Sequence, residues 1–330
     1  MSDQYPAQFY HQLDNGLLKC DLCPHNCKIS NNKTGICKVR KNIDGKLYSL
    51  NYAKVSSLGI DPVEKKPLYH FHPQAEVLSV GSWGCNMACS FCQNWQISQQ
   101  KPQLREFKPA EIVETALEKD IDLLAYTYSE PTVFYEFMLE TAEIASKKGL
   151  KNIMVSNGFI NEKPLRRLIP YLDAANIDLK AFNNEFYEQH CRGGLEAVKR
   201  TIEILAQTIH LEVTTLIVTD LNDDLKELEA LFSWLADIKR ELPLHLSRYH
   251  PAYKLNKPPT DLELMKKAYQ TAKKYLDHVY LGNTIINNTA DSYCSNCGEK
   301  VIKRKAYNVE NSLDANRCPN CGAKFYGEFL

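Results

Sequence analysis

Between Val77 and Asn283 the chain alternates short apolar, β-branched runs with longer stretches whose apolar residues recur at helical spacing. A short apolar run reads as a buried strand, and recurrence every three to four residues reads as a helix with one face turned inward. The pattern predicts strands over Val77 to Ser82, Leu123 to Ser129, Asn152 to Ser156, Ala175 to Lys180, Leu211 to Val218, Leu244 to Tyr249 and Val279 to Leu281. Helices are predicted in the intervening segments, among them Pro109 to Glu118, Pro131 to Lys148, Pro164 to Leu172, Leu195 to Gln207 and Thr260 to Tyr275. Several open on proline, whose fixed φ and missing N–H suit a first helical turn. Such alternation implies a parallel sheet with right-handed crossovers, either an open doubly wound sheet or a full or partial barrel. In all of these, ligands meet the carboxyl ends of the strands, so the polar residues just after each strand are the candidate site.

Composition narrows the function classes. The 330 residues include 44% hydrophobic ones, enough for a sizeable core, which excludes a disordered chain. Lys and Arg number 40 against 40 Asp and Glu. A net charge of zero offers no basic footprint, so neither nucleic acid nor a membrane is an expected partner. The start, MSDQYPAQFYHQLDNG, has no basic, apolar leader, and a cytoplasmic location is expected. In a reducing compartment the 12 cysteines point to metal ligation or catalysis rather than to disulfides.

Eleven cysteines cluster. After the first predicted strand, Cys85, Cys89 and Cys92 form a C-x3-C-x2-C loop. Three thiolates can cap three irons of a cubane that takes four ligands, which leaves one iron open. An open iron is what chelation of the amino and carboxylate groups of S-adenosylmethionine requires. A zinc site completed by a distant ligand is the alternative. Near the carboxyl end, Cys294-Ser295-Asn296-Cys297-Gly298 and Cys318-Pro319-Asn320-Cys321-Gly322 form two C-x2-C-G knuckles. Their spacing is close to that of a zinc ribbon, a closed structural site for zinc or for a single iron, with each glycine expected in a left-handed turn. Near the start, Cys20, Cys23, Cys27 and Cys37 follow C-x2-C-x3-C-x9-C. Zinc and a second iron–sulfur cluster suit that spacing equally, with His25 a possible substitute ligand.

The C-x3-C-x2-C loop with Phe91 before its last cysteine resembles the signature of the radical S-adenosylmethionine (radical SAM) superfamily. The resemblance implies a partial (β/α)6 TIM-like barrel whose [4Fe-4S] cluster reductively cleaves S-adenosylmethionine to a 5'-deoxyadenosyl radical, which abstracts hydrogen from an unidentified substrate. By resemblance, Glu130 in Thr127-Tyr128-Ser129-Glu130 binds the methionyl amino group, with Tyr128 and Ser129 standing where the superfamily has glycines. Ser156 and Asn157 lie where ribose hydroxyls would fall. Asp178 and Lys180 are similar to the Asp-x-Lys of glycyl-radical-enzyme activases, where Lys meets the methionyl carboxylate. Arg248 and His250, after the sixth strand, face the adenosyl group or substrate on this reading.

The amino-terminal cysteine set, Glu64-Lys65-Lys66-Pro67, Cys92-Gln93-Asn94-Trp95, Tyr128-Ser129-Glu130-Pro131-Thr132 and the terminal knuckles are together similar to the radical enzymes of the AmmeMemoRadiSam system. Those belong among the relatives of pyruvate formate-lyase activating enzyme. The resemblance implies a small-molecule or partner-protein substrate and an electron donor such as flavodoxin or ferredoxin. Alternatives are a glycyl-radical activase and a non-catalytic metal-binding scaffold. Three parts are expected: a Cys-rich segment over 1–70, the barrel over 71–287 and a zinc-ribbon-like module over 288–330. Lone Cys191 reads as a packed core thiol, and the stretch Asp61 to His70 reads as an approach to the first strand with solvated charges, or else as a loop that covers the site.

Overall fold

The computed structural model describes residues 4–305 and 307–329. Its centre is an eight-stranded sheet whose strands follow in chain order: β1 (Ser57–Pro62), β2 (Glu76–Gly81), β3 (Leu123–Tyr126), β4 (Lys151–Ser156), β5 (Ala174–Asp178), β6 (His210–Ile217), β7 (Leu244–Arg248) and β8 (Val279–Gly282). β1 runs antiparallel to β2, and every later pairing is parallel. Each parallel step is bridged by a helix: α1 (Pro109–Leu117), α2 (Tyr135–Lys147), α3 (Glu162–Leu168), α4 (Leu195–Ala206), α5 (Leu225–Ile238) and α6 (Leu262–Tyr275). Among the described residues no ladder joins β8 back to β1. The result is a partial barrel of six β-α units with β8 added at the end, one of the arrangements the sequence pattern allows and the one the resemblance implies.

Local chemistry sets the element ends. Pro109 opens α1, and the Asp224 and Asp261 side chains accept backbone N–H groups in the first turns of α5 and α6. β3 is buried at every position, which is why strands covered on both faces appear as continuous apolar runs rather than alternating ones. No helix of the described residues is long and apolar enough to cross a membrane.

Two appendages pack onto the barrel. The amino-terminal segment forms short antiparallel ladders, Tyr10–Gln12 with Leu18–Cys20 and Lys28–Ile29, and Arg40–Ile43 with Lys46–Ser49 and Tyr5–Pro6. It is tied to α2 by the ion pair of Arg40 with Glu136, both 1% exposed. The carboxyl-terminal module is a three-stranded antiparallel sheet, Ser292–Tyr293, Lys300–Lys305 and Asn308–Asn311. It seats under the barrel: Arg304 donates to the Tyr69 carbonyl at 2.6 Å, Phe325 stacks on His70, and Tyr326 stacks on His210. Behind these contacts the fully buried Glu212 accepts from His210, His245 and the backbone N–H groups of Tyr69 and His70. Burial opposes its ionisation, but those partners hold its carboxyl well below the usual range.

Candidate active site

The cysteine loop leaves β2 at its carboxyl end, where a cavity of about 560 Å³ opens between the strand ends. The loop is fixed by backbone pairing rather than by regular structure. Ala88 N–H donates to the Cys191 carbonyl at 2.8 Å and Ser90 N–H to the His190 carbonyl at 2.9 Å, so the π-helical turn Tyr187–Cys191 grips it from one side. Asn86 Nδ2 donates to the Phe159 carbonyl at 2.7 Å on the other. Gly84, at φ +92°, could carry no side chain: a Cβ there would stand 2.9 Å from Val39 and 3.0 Å from the Cys37 carbonyl oxygen.

Cys85, Cys89 and Cys92 all face this cavity. Burial pushes the Cys85 and Cys92 thiols up, whereas contact with the Cys191 thiol lowers that of Cys89. Donors suited to a sulfur ligand surround them. Met87 N–H lies 3.3 Å and Asn157 Nδ2 3.7 Å from Cys85 Sγ, and Ser98 Oγ is 3.3 Å from Cys92 Sγ. The sulfurs fit a metal cluster bound at the cavity wall, with the rest of the space left for a ligand.

Glu130, Ser156, Asn157, Asp178 and Lys180 line the same cavity from the ends of β3, β4 and β5, so the structure brings these sequence-selected residues together. Glu130 is 1% exposed, and three donors bind it: Thr132 N–H at 3.0 Å, Ser156 Oγ at 2.7 Å and Asn157 N–H at 2.9 Å. Burial nonetheless raises its carboxyl. A carboxylate offers about four lone-pair directions, so one remains for a further donor from the cavity. Lys180 Nζ is held 2.7 Å from Asp178. Against the effect of burial, Asp178 keeps the Lys180 ammonium protonated well above its ordinary range.

The remaining residues sort differently. His250 lies in an adjoining recess with Gln93 and Asn283, two residues that also line the main cavity, and its Nε2 is 3.3 Å from the Asn283 carbonyl. Arg248 is not among the cavity's lining residues, and its Nε donates to the Thr260 carbonyl at 2.7 Å. Cys20, Cys23, Cys27 and Cys37 line a separate enclosed cavity. Cys294, Cys297, Cys318 and Cys321 bring their sulfurs within 4.8 Å of one another and could hold one metal ion, with Gly298 and Gly322 at φ +75° and +71° as the knuckles require.

Sequence reasoning offered one wall only as the lesser reading, a loop over the site. Asp61, Lys65 and Lys66 also line the cavity; Lys65 stays exposed, but Asp61 and Lys66 are largely withdrawn from solvent. Lys66, 3% exposed, pairs with Asp61 at 2.7 Å, and Tyr128 donates its hydroxyl to Asp61 at 2.8 Å. Glu64 is likewise buried and accepts from Gln74 N–H. The antiparallel β1, invisible as a pattern, carries Asp61 to the site. Tyr128 adopts φ +70°, the left-handed conformation that favours glycine, with Lys66 Nζ 4.7 Å from its ring centre.

The architecture and the cavity agree with the comparisons. Residues 81–235 match the radical SAM superfamily. An uncharacterized protein of Methanocaldococcus jannaschii, MJ0808, is 43% identical over 328 residues, covering 96% of this chain and 98% of that protein. The chain belongs to the radical SAM superfamily. A 7-carboxy-7-deazaguanine synthase of the same organism is 26% identical over 169 residues, 42% of this chain and 68% of that one. Among solved structures, Streptococcus suis SuiB bound to S-adenosylmethionine superposes with a TM-score of 0.51 at 12% identity, over 67% of this chain and 53% of that one, which supports the barrel fold alone. Radical SAM enzymes use a [4Fe-4S] cluster and S-adenosylmethionine, and membership brings radical chemistry started by cleavage of that cofactor to this chain.

Proposed function

We propose that Cys85, Cys89 and Cys92 hold the [4Fe-4S] cluster of this radical SAM enzyme, and that Glu130, Ser156, Asn157, Asp178 and Lys180 seat S-adenosylmethionine against it. The observation that carries this is the convergence of three thiols, one under-used buried carboxylate and one charged Lys on a single cavity at the strand ends. When bound, the reduced cluster and S-adenosylmethionine supply a 5'-deoxyadenosyl radical able to abstract hydrogen from a substrate.

The protein's own groups orient that event. Glu130, fixed by three donors, turns its free lone pair to an ammonium group. Lys180, steered by Asp178, meets a carboxylate. Ser156 and Asn157 chiefly brace Glu130 and the cysteine loop, and His250 lies in the recess that adjoins the cavity, where it would be available to the adenosyl group or the substrate. The wall of Asp61, Lys65 and Lys66 carries one acid and two ammonium groups, so the substrate it suits bears an acidic function. The whole-chain resemblance to the AmmeMemoRadiSam radical enzymes is consistent with this reading, as is the three-part division at about residues 70 and 288.

Anaerobic reconstitution with iron and sulfide, followed by S-adenosylmethionine and dithionite, tests it. Cys89→Ala is expected to reduce 5'-deoxyadenosine to background by mass spectrometry; undiminished formation overturns the assignment. A radical appearing on a glycine of a co-purifying protein under the same conditions marks that protein as the substrate.

A further inference from the structure

We propose that Cys20, Cys23, Cys27 and Cys37 bind a second [4Fe-4S] cluster, separated from the first by a wall one residue thick. The reading of the central loop enters only through that neighbour.

The spacing of the sulfurs distinguishes this site from the carboxyl-terminal one. A tetrahedral zinc with Zn–S near 2.3 Å brings its sulfurs to about 3.8 Å from each other. Cys294 and Cys321 stand 3.7 Å apart, and Cys297 and Cys318 3.6 Å. Among the described residues, that is the only set of such ligands gathered within 4.8 Å. The amino-terminal four instead line one common cavity without closing to that distance. A cubane binds each thiolate through a different iron, which calls for the wider ring.

Arg40, 1% exposed, lines the cavity; its terminal nitrogens are taken by Glu136 and the Gln8 carbonyl, but its Nε has no partner. A buried donor left unpaired is costly, so an acceptor is expected beside it. A cysteine thiolate or cluster sulfide in the cavity would accept from it. His25 is not needed as a substitute ligand, since its Nε2 is engaged by the Asn86 carbonyl at 2.7 Å.

The two cavities share a wall. Asn86 lines the amino-terminal one and Cys85, the preceding residue, lines the other. Gly84, on the other side of Cys85, packs against the Cys37 carbonyl.

The test uses the full chain with Cys85→Ala, Cys89→Ala and Cys92→Ala together, reconstituted anaerobically beside the wild type and a Cys23→Ser/Cys37→Ser variant. Sulfide is the cleaner count, since a single ion in the terminal module brings none. The wild type should hold about eight sulfides and each variant about four. Dithionite-reduced wild type should give an electron paramagnetic resonance spectrum broadened by coupling between neighbouring clusters, sharpening in both variants. A triple variant without sulfide, or with a second zinc in its place, overturns the proposal; a wild type with about four sulfides, all lost in the triple variant, does so while sparing the central site. Sulfide unchanged between wild type and triple variant upholds the amino-terminal cluster and refutes the central one. The triple variant keeps the amino-terminal cysteines, so it decides even if the serine variant does not fold.

Discussion

The terminal module and the central loop both present cysteines two or three residues apart, yet they are assembled by different means. In the module, two knuckles close on each other from a short sheet, and only small contacts lie under them: Cys294 and Cys318 are buried while Cys297 and Cys321 are exposed. In the central loop, the thiols are held by partners from distant parts of the chain, Cys191, Phe159 and Asn157. A sequence-local site owes its geometry to the ion that closes it, whereas a fold-borne site has its geometry before any ion arrives.

Metal removal separates the two most strongly. Structural tetrathiolate zinc is worth about 10–16 kcal/mol in small modules, so Cys318→Ser should unfold the terminal one. Limited proteolysis should then cut between residues 288 and 330, while 5'-deoxyadenosine formation by the remaining barrel stays within about twofold. Joint loss of both would mean that the module helps to build the active site. The amino-terminal segment behaves as a fold-borne region: Arg40→Ala strands the carboxylate of Glu136 in the interior and should cost about 3–5 kcal/mol, read from chemical denaturation.

Acid tests the seam between module and barrel. Burial holds His278 at about 3, and the neighbouring His70 also falls well below its usual value. Below about pH 6.5 the unfolded chain binds protons that the folded His278 refuses, so stability falls as pH drops from 6.5 toward 3. By pH 4 this one group should remove up to about 3 kcal/mol. His278→Gln should flatten the fall in melting temperature over that window; an unchanged slope would assign acid sensitivity elsewhere, such as to Glu212 on protonation.

How much of this was legible follows from how each feature is encoded. The seven parallel strands were readable because burial on both faces imposes unbroken apolar runs, and the triad because three sulfurs sit within eight residues. β1 was not, since its half-exposed residues Ser57–Pro62 show no alternation and its register is fixed by β2. Asp61 and Lys66 looked like solvated charges because nothing local reveals that they are buried against each other and against Tyr128. Cys191 read correctly as a core thiol, but its contact with Cys89 depends on a π-helical turn that spacing does not announce.

The smallest effect is expected at Tyr128, where local and long-range demands oppose each other. Its left-handed backbone is strained for a bulky residue, by about 1 kcal/mol, yet its hydroxyl and ring are what tie β1's Asp61 and Lys66 to the turn beside Glu130. Tyr128→Phe keeps the strain and loses one hydrogen bond, so it should cost about 0.5–1.5 kcal/mol. Tyr128→Gly loses that bond and the ring but relieves the backbone, so its stability should return close to the wild type. Calorimetry that found Gly much less stable than Phe would show that the ring's packing on Lys66 outweighs the strain, and would make Tyr128 a part of the site's framework rather than a replacement for a glycine.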